Sequence, residues 1–280
     1  MIKFESKLLD ELIELAVEED IYTGDITTES IIPESSKAVA TLTAKASGII
    51  SGIKIVEIVF KHFQKEMEFQ EFFHDGNRVV NKDVIMMVKG SYPALLKAER
   101  LALNIFQRMS GIATETAKYV VETSGKTKIL DTRKTVPGLR ILDKMAVKDG
   151  GGTNHRMGLY DMVMIKDNHI KMAGSITKAV NQVRVHVKNT IKIEVETTNL
   201  DEVREAIAAK VDIIMLDNMS NDMMTNAVDL IGDKALTEAS GNMSVDRIQD
   251  VCRCGVDFIS VGALTHSVTA MDISMNIVAE

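Results

Sequence analysis

The sequence predicts an α/β protein in two parts, an N-terminal α/β domain followed by a (β/α) barrel, closed or open. Three observations carry this reading. Glu196, Asp217 and Glu238 stand 21 residues apart and close the short apolar runs "IKIEVE", "VDIIMLD" and "DKALTE". Stretches with helical spacing separate those runs, so the back half reads as strand–helix units. A polar residue repeated at the carboxyl ends of successive parallel strands marks the rim where such a barrel places its chemistry. The residues before Lys128 do not follow this repeat, which makes them a separate α/β domain.

The first helix is expected from about Ser6 to Glu19, with Leu8, Leu9, Leu12, Ile13, Leu15 and Ala16 facing inward. "YTGDITTES" reads as a turn broken by Gly24 and Asp25. "KAVATLTAKASGIISG" has strand composition and alternation, "IKIVEIVFKHFQ" is helical, and "NRVVNKDVIMMVKG" reads as a strand pair. A long helix begins after Pro93 and is apolar on more than one side through Leu95, Leu96, Leu101, Leu103, Ile105 and Phe106. Gly111 is a candidate break in it and Gly125 its stop. From Lys128 the strands are "KTKILDTRK", "DMVMIKDNH", "TIKIEVETT", "DIIMLDN", "KALTEASGN" and "DFISVGALTHS". The helix "NLDEVREAIAAK" buries Leu200, Val203 and Ile207, and "SVDRIQDVCRCG" ends at Gly255. Those six strands fall short of the eight of a full TIM barrel, so an open barrel is as acceptable as a closed one.

Composition narrows the function. The hydrophobic fraction of 45% and charged fraction of 26% are those of a soluble globular chain, and no apolar stretch approaches the roughly 20 residues of a membrane helix. The opening "MIKFESKLLDELIELAVEED" alternates acids with Leu and Ile, unlike a signal peptide, so a cytoplasmic location is expected. A net charge of −7 argues against wholesale nucleic-acid binding. Cys252 and Cys254 are the only cysteines and cannot supply a four-ligand zinc site. Cys252 is expected in the core beside Val245, Ile248 and Val251.

The loops carry the chemistry. "DTRKT" puts Arg133, a planar fork for carboxylates, and Lys134, a compact charge for phosphates, beyond a strand end. Two solvated surface cations are the bland alternative. "KDGGGTNHRMGLYD" joins three glycines, which let a ligand approach the main chain, to His155 and Arg156. A flexible linker rarely runs straight into an apolar strand, so a binding loop is favoured. Lys166 ends that strand as a candidate phosphate clamp or Schiff-base nucleophile, while His169 reads equally as a structural histidine. Glu196 and Asp217 are strand-terminal carboxylates suited to Mg²⁺, sugar hydroxyls or general-base work. Glu194 shares a face with Glu196 and Lys192 and is read as pairing with a cation inside the barrel. Ser240, Gly241, Gly262 and Ala263 close the last two strands, where barrels bind phosphate. Cations early, acids in the middle and a phosphate cradle at the end suit a phosphorylated sugar and a carboxylated partner.

"EEDIYTGDITT", "AERLALNIFQRMSGIAT", "DTRKTVPGLR", "GGGTNHRMGLYDMVMIKDNH", "IEVE", "IMLDN", "EASGN" and "VGALTHS" together resemble the quinolinate phosphoribosyltransferase family, in family order across nearly the whole chain. The long glycine-rich run is the specific one; "EASGN" alone is weak. The resemblance implies an N-terminal α/β sandwich domain, residues 1–110, and an open TIM-like α/β barrel, residues 111–265, with 266–280 as a C-terminal helix that could rejoin the first. It implies transfer of the phosphoribosyl group of phosphoribosyl pyrophosphate (PRPP) to quinolinate with decarboxylation, giving nicotinate mononucleotide, pyrophosphate and CO₂ in NAD biosynthesis. It also implies a Mg²⁺ cofactor and a homodimer or hexamer with shared active sites.

By the same resemblance, Arg133, His155 and Arg156 would bind the quinolinate carboxylates, with Arg100 reaching in from the neighbouring subunit. Lys134, Lys166, Glu196 and Asp217 would be the catalytic group, the lysines on PRPP and substrate. Glu196 and Asp217 would hold ribose hydroxyls and, indirectly, the Mg²⁺ shell. Thr132, Ser240, Gly241, Asn242, Val261, Gly262 and Ala263 would complete substrate binding, the later ones around the 5′-phosphate. Glu238 has no equally clear role and is taken as supporting structure. Three other readings compete: the related protein of molybdenum-transport operons, a Schiff-base aldolase using Lys166, and a non-catalytic sensor of a phosphorylated metabolite. The full "IKDNH" run and the arginine-rich loops weigh against them.

Overall fold

The computed structural model describes residues 7–123 and 127–280. Expectations at Ser6 and Gly125 lie outside the described residues. In chain order the first elements are α1 (Lys7–Ile21), α2 (Ile26–Ile31), β1 (Lys37–Ala44), β2 (Gly48–Ile49), α3 (Ile53–Phe63), β3 (Glu68–Glu71), β4 (Arg78–Val79), β5 (Val84–Ser91) and α4 (Tyr92–Glu122). There follow β6 (Lys128–Leu130), α5 (Arg140–Asp149), β7 (Val163–Ile165), α6 (Asp167–Ala173), α7 (Ile176–His186), β8 (Ile193–Thr197) and α8 (Leu200–Ala208). The chain closes with β9 (Ile213–Asp217), α9 (Asn221–Ile231), β10 (Leu236–Ser240), α10 (Val245–Arg253), β11 (Phe258–Ser260), α11 (Ala263–His266) and β12 (Ile273–Ala279).

These form two compact units. The first comprises Met1–Ala117, Thr135–Gly151 and Thr265–Glu280. Its antiparallel sheet has the order β12-β1-β5-β3. Along β1 burial alternates, with Ala38, Ala40, Leu42 and Ala44 inward, as a sheet with one covered face requires. Phe60 of α3 meets Phe69 of β3 edge-on, their ring centroids 6.4 Å apart. Arg108 of α4 forks onto the fully buried Asp143 of α5 through two hydrogen bonds of 2.9 Å.

Several expectations are corrected in this unit. Leu8 and Leu15 are 66% and 63% exposed, because α1 buries only the narrow stripe of Leu9 and Ile13. Within the expected turn, Asp25 caps a short helix, accepting the Thr28 N–H at 3.0 Å. The strands β4 and β5 do not pair with each other; β4 pairs with β2 and β5 lies between β1 and β3. The short polar strand β3, "EFQE", was not anticipated. Gly111 does not break α4. A Cβ there would lie 2.2 Å from the Thr269 carbonyl oxygen, so the glycine permits a close crossing of the chain. Residues 273–279 form a strand where a C-terminal helix was expected, since they pair along β1 over seven residues.

The second unit comprises Lys118–Lys134 and Gly152–Leu264. Its six parallel strands run β6-β11-β10-β9-β8-β7. Consecutive strands β7 to β11 are neighbours and β6 joins β11, so the sheet wraps round. The edges β6 and β7 do not pair, which makes an open barrel. Thr153 instead bridges to Leu130 on the free edge of β6. Ser175, Asn199 and Ser220 cap α7, α8 and α9 with side-chain oxygens, ending the βα loops cleanly. Cys252 is only half-buried; Cys254, one turn-step later, is the buried thiol.

The ladders set the depth of the three acids. Glu196 stands level with Met215 and Glu238, whereas Asp217 stands level with Ser240, one pleat nearer the rim. Equal spacing in sequence therefore does not put the acids in one layer.

Candidate active site

The barrel residues singled out from sequence lie in the second unit: Glu194 and Glu238 within strands β8 and β10, His155 and Arg156 on the loop before β7, and the others at or beyond strand ends. Arg100 lies in the first unit, on the exposed side of α4.

After β6 comes the buried Asp131, which organises the glycine-rich loop. Its Oδ1 accepts the His155 backbone N–H at 2.9 Å and its Oδ2 the Asn154 amide at 2.6 Å. The Thr153 N–H donates to the Ile129 carbonyl at 2.8 Å, so the loop docks against the edge of β6 like a further strand. Thr132 and Arg133 are half-buried and Lys134 is exposed, its backbone N–H held by the Thr132 hydroxyl at 3.0 Å.

His155 stands over two buried acids. Its Nε2 lies 3.0 Å from Glu194 Oε2 and 3.3 Å from Glu238 Oε2. Its Nδ1 accepts the Arg156 backbone N–H at 2.8 Å. Burial draws the imidazole down, but Glu194 and Glu238 outweigh it and push it up to about 9. Burial and the charge of Glu238 push Glu194 up to about 7, against the pull of His155 and Arg156. Both shifts concern one proton. An imidazolium between two carboxylates, and a neutral imidazole beside one protonated carboxyl, carry the same net charge. Because Nδ1 accepts a hydrogen bond, that proton lies on the Nε2–carboxyl side.

Arg156 donates to the Met162 carbonyl at 3.1 Å and reaches the Met164 sulfur at 3.6 Å. Burial, then the charge of Arg133, holds its guanidinium below the usual arginine range. Lys166 follows β7 and caps α6; its ammonium donates to Glu196 Oε2 at 2.5 Å. His169 is structural, its Nδ1 accepting the Lys166 backbone N–H at 2.9 Å. Asp217 is half-buried and accepts the Asn218 amide on Oδ2 at 2.7 Å. Asn218, in turn, donates its backbone N–H to the Ser240 carbonyl at 2.9 Å. Gly241 and Asn242 both have positive φ, +102° and +48°, so the loop after β10 curls back on itself. Arg247 braces it from α10 through the carbonyls of Gly241 and Asn242. Val261 donates to the Leu130 carbonyl, and Gly262 and Ala263 lead into α11.

The structure thus brings Lys166 onto Glu196 and Asp217 beside the Ser240–Gly241 turn, and places Arg133 near enough for its charge to act on Arg156. Two donor sets could hold a cation. Glu196 and Asp217 end adjacent strands and offer hard carboxylate oxygens, the chemistry Mg²⁺ prefers. His155, Glu194 and Glu238 offer one nitrogen and two oxygens within 4.8 Å of one another. There the Nε2–Glu194 hydrogen bond already joins two of the donors.

Sequence reasoning undervalued Glu238, taken as supporting structure, and Asp131 and Asn218, which it passed over. Glu238 was detectable: it belongs to the 21-residue series and faces the same side of the sheet as Ser240. The partner of Glu194 is His155; Lys192 is exposed.

Comparison with known proteins adds the family. Residues 25–110 match the N-terminal domain, and residues 112–276 the C-terminal domain, of quinolinate phosphoribosyl transferase. A probable nicotinate-nucleotide pyrophosphorylase [carboxylating] of Synechocystis sp. is 43% identical, over 97% of this chain and 93% of that one. The chloroplastic nicotinate-nucleotide pyrophosphorylase [carboxylating] of Arabidopsis thaliana is also 43% identical, over 97% and 83%. Among solved structures, NadC from Streptococcus pyogenes superposes with a TM-score of 0.94 at 40% identity, covering 97% of both chains. The nicotinate-nucleotide pyrophosphorylase from Francisella tularensis gives 0.94 at 41%, covering 99% and 98%.

Proposed function

The chain belongs to the quinolinate phosphoribosyl transferase family, and on that premise we propose how its residues perform the family's reaction. It transfers the phosphoribosyl group of PRPP to quinolinate with loss of CO₂, giving nicotinate mononucleotide and pyrophosphate for NAD biosynthesis. The observation that carries the residue assignment is the rim itself, where Lys166 pairs with Glu196 and Asp217 stands on the adjacent strand beside the Ser240–Gly241 turn.

Two guanidiniums held near each other repel, and a dicarboxylate relieves that repulsion while filling their forks. Arg133 and Arg156 therefore orient quinolinate so that its ring nitrogen faces the anomeric carbon of PRPP. The nitrogen lone pair forms the new N–C bond while the C–O bond to pyrophosphate breaks and the pyrophosphate leaves with that electron pair. Positive charge grows on the ribose ring, where Glu196 and Asp217 oppose it. Lys166 positions Glu196 through its ion pair, and Lys134, exposed on its loop, meets the phosphates. Glu196 and Asp217 would hold Mg²⁺ together with oxygens of PRPP. When bound, the ion neutralises the departing pyrophosphate. Ser240, Gly241, Asn242, Gly262 and Ala263 take the 5′-phosphate with Thr132 and Val261 alongside. Decarboxylation then breaks the bond from ring carbon 2 to its carboxylate; the electrons enter the pyridinium ring, and a proton replaces the CO₂.

The working form is a homodimer or a higher assembly of dimers, with Arg100 of one copy completing the site of another; its exposure on α4 supports this. No helix among the described residues is long and apolar enough to cross a membrane, in keeping with a cytoplasmic enzyme. The direct test is incubation with quinolinate, PRPP and Mg²⁺, following nicotinate mononucleotide and CO₂, with nicotinate in a parallel reaction. Product from quinolinate alone is expected; no product from folded protein overturns the assignment.

A further inference from the structure

The mechanism above leaves two fully buried acids without a task. Glu194 rises from β8 and Glu238 from β10, on either side of β9, and both are 0% exposed. Burying two neighbouring carboxylates is costly, several kcal/mol each after relaxation by order of magnitude, and a barrel interior is filled more cheaply by Leu or Met. Glu194 Oε1 and Glu238 Oε1 lack a hydrogen-bond partner, and Glu238 Oε2 faces His155 Nε2 at 3.3 Å, so the acids are not there to satisfy one another. What they share is His155, whose Nε2 faces both.

The imidazole is a strut. Below it are the two carboxylates; above it, Nδ1 grips the backbone N–H of Arg156. Asp131 adds a second tie from β6, holding the His155 N–H and the Asn154 amide. The loop carrying Arg156 is thus pinned to three strands of the barrel, through β6, β8 and β10.

The geometry points to Glu194 and Glu238 as positioning residues for the acceptor substrate: acting through His155, they set the place of Arg156 and so the grip on a pyridine dicarboxylate. This rests on the function proposed above. It makes a prediction opposite in sign to simple electrostatics. The net negative charge of this cluster weakens the attraction of the arginines for an anion, so removing an acid would, by charge alone, tighten dicarboxylate binding. If the acids act by position, removing one loosens it.

Steady-state kinetics on Glu238→Ala and Glu238→Gln separate the two. Glu238→Ala is expected to raise KM for quinolinate about ten- to a hundredfold, the worth of a charge-assisted hydrogen bond, while KM for PRPP stays within about threefold. Glu238→Gln keeps the shape and one acceptor oxygen for Nε2, so it recovers most of that loss. An unchanged or lowered quinolinate KM in Glu238→Ala overturns the proposal, as does an equal rise in both KM values. If Glu238→Ala does not fold, Glu238→Gln decides alone through the same ratio: a quinolinate KM raised about two- to fivefold with PRPP unmoved supports positioning, and a lowered or unmoved one refutes it. Wild-type turnover of quinolinate is the control; its absence would instead remove the functional reading.

Discussion

Replacing Gly241 with Ala tests the phosphate cradle most sharply, because its effect can be worked from coordinates. Gly241 has φ +102°, where an L side chain costs on the order of 1–2 kcal/mol. The added Cβ would lie 2.1 Å from Asn218 Oδ1, 2.6 Å from its Cγ and 3.0 Å from its backbone nitrogen. The Asn218 side chain must swing away, and its 2.7 Å hydrogen bond to Asp217 breaks. A bond to a carboxylate is worth about 1.5–3 kcal/mol. Allowing for relaxation, this lowers the stability of the native loop by about 2–4 kcal/mol, and the displaced turn is expected to raise KM for PRPP at least about tenfold. Quinolinate, gripped by Arg133 and Arg156, should keep its KM within about threefold. The assay is steady-state kinetics with each substrate varied in turn, with circular dichroism to confirm the fold. An unchanged KM for PRPP, or equal rises for both substrates, would refute this placement of the 5′-phosphate.

Arg133→Ala should raise KM for quinolinate about a hundredfold and leave that for PRPP nearly unmoved, because a bidentate charged partner is lost; equal effects contradict its role. Arg108→Met takes the fork from the fully buried Asp143 and should cost about 3 kcal/mol in urea unfolding, with a loss under about 1 kcal/mol excluding a structural role for the pair. Burial, opposed by the Ser51 hydroxyl at 2.6 Å, pushes Asp149 up to about 6, with the charges of Asp75 and Lys148 nearby. The folded state then holds this proton more tightly than the unfolded chain, so stability falls as pH rises from the ordinary carboxylate range through 6. Asp149→Asn should flatten that fall and stabilise the protein above pH 6 by about 1–2 kcal/mol after discounting for partial exposure; an equal slope in both proteins would refute it.

Much of this was legible in the sequence. The apolar runs of the back half became the strands of the parallel sheet, since strands covered on both faces read as continuous hydrophobic stretches. "DTRK" and "IKDNH" fell at strand ends and "NHR" on the loop before β7, and loops carry function. Amphipathic helices are also local signals, which explains why α8 and α10 were found where expected. Misreadings occurred where partners decide. Residues 273–279 became a strand because β1 offered an edge, and Leu8 and Leu15 stayed exposed because only one narrow face of α1 is covered.

Local sequence suffices to place the alternating strands and helices, the cations and carboxylates on their connecting loops, and the family to which the chain belongs. Those are properties of residues near one another along the chain. Depth within the barrel comes from the fold. Glu196, Asp217 and Glu238 are evenly spaced, yet the ladders place Glu238 level with Glu196 and Asp217 one pleat higher. Only the folded barrel brings Glu194 and Glu238 under a histidine from a distant loop. Strand register is set by loop lengths and by the packing of the whole sheet. No window of neighbouring residues contains it.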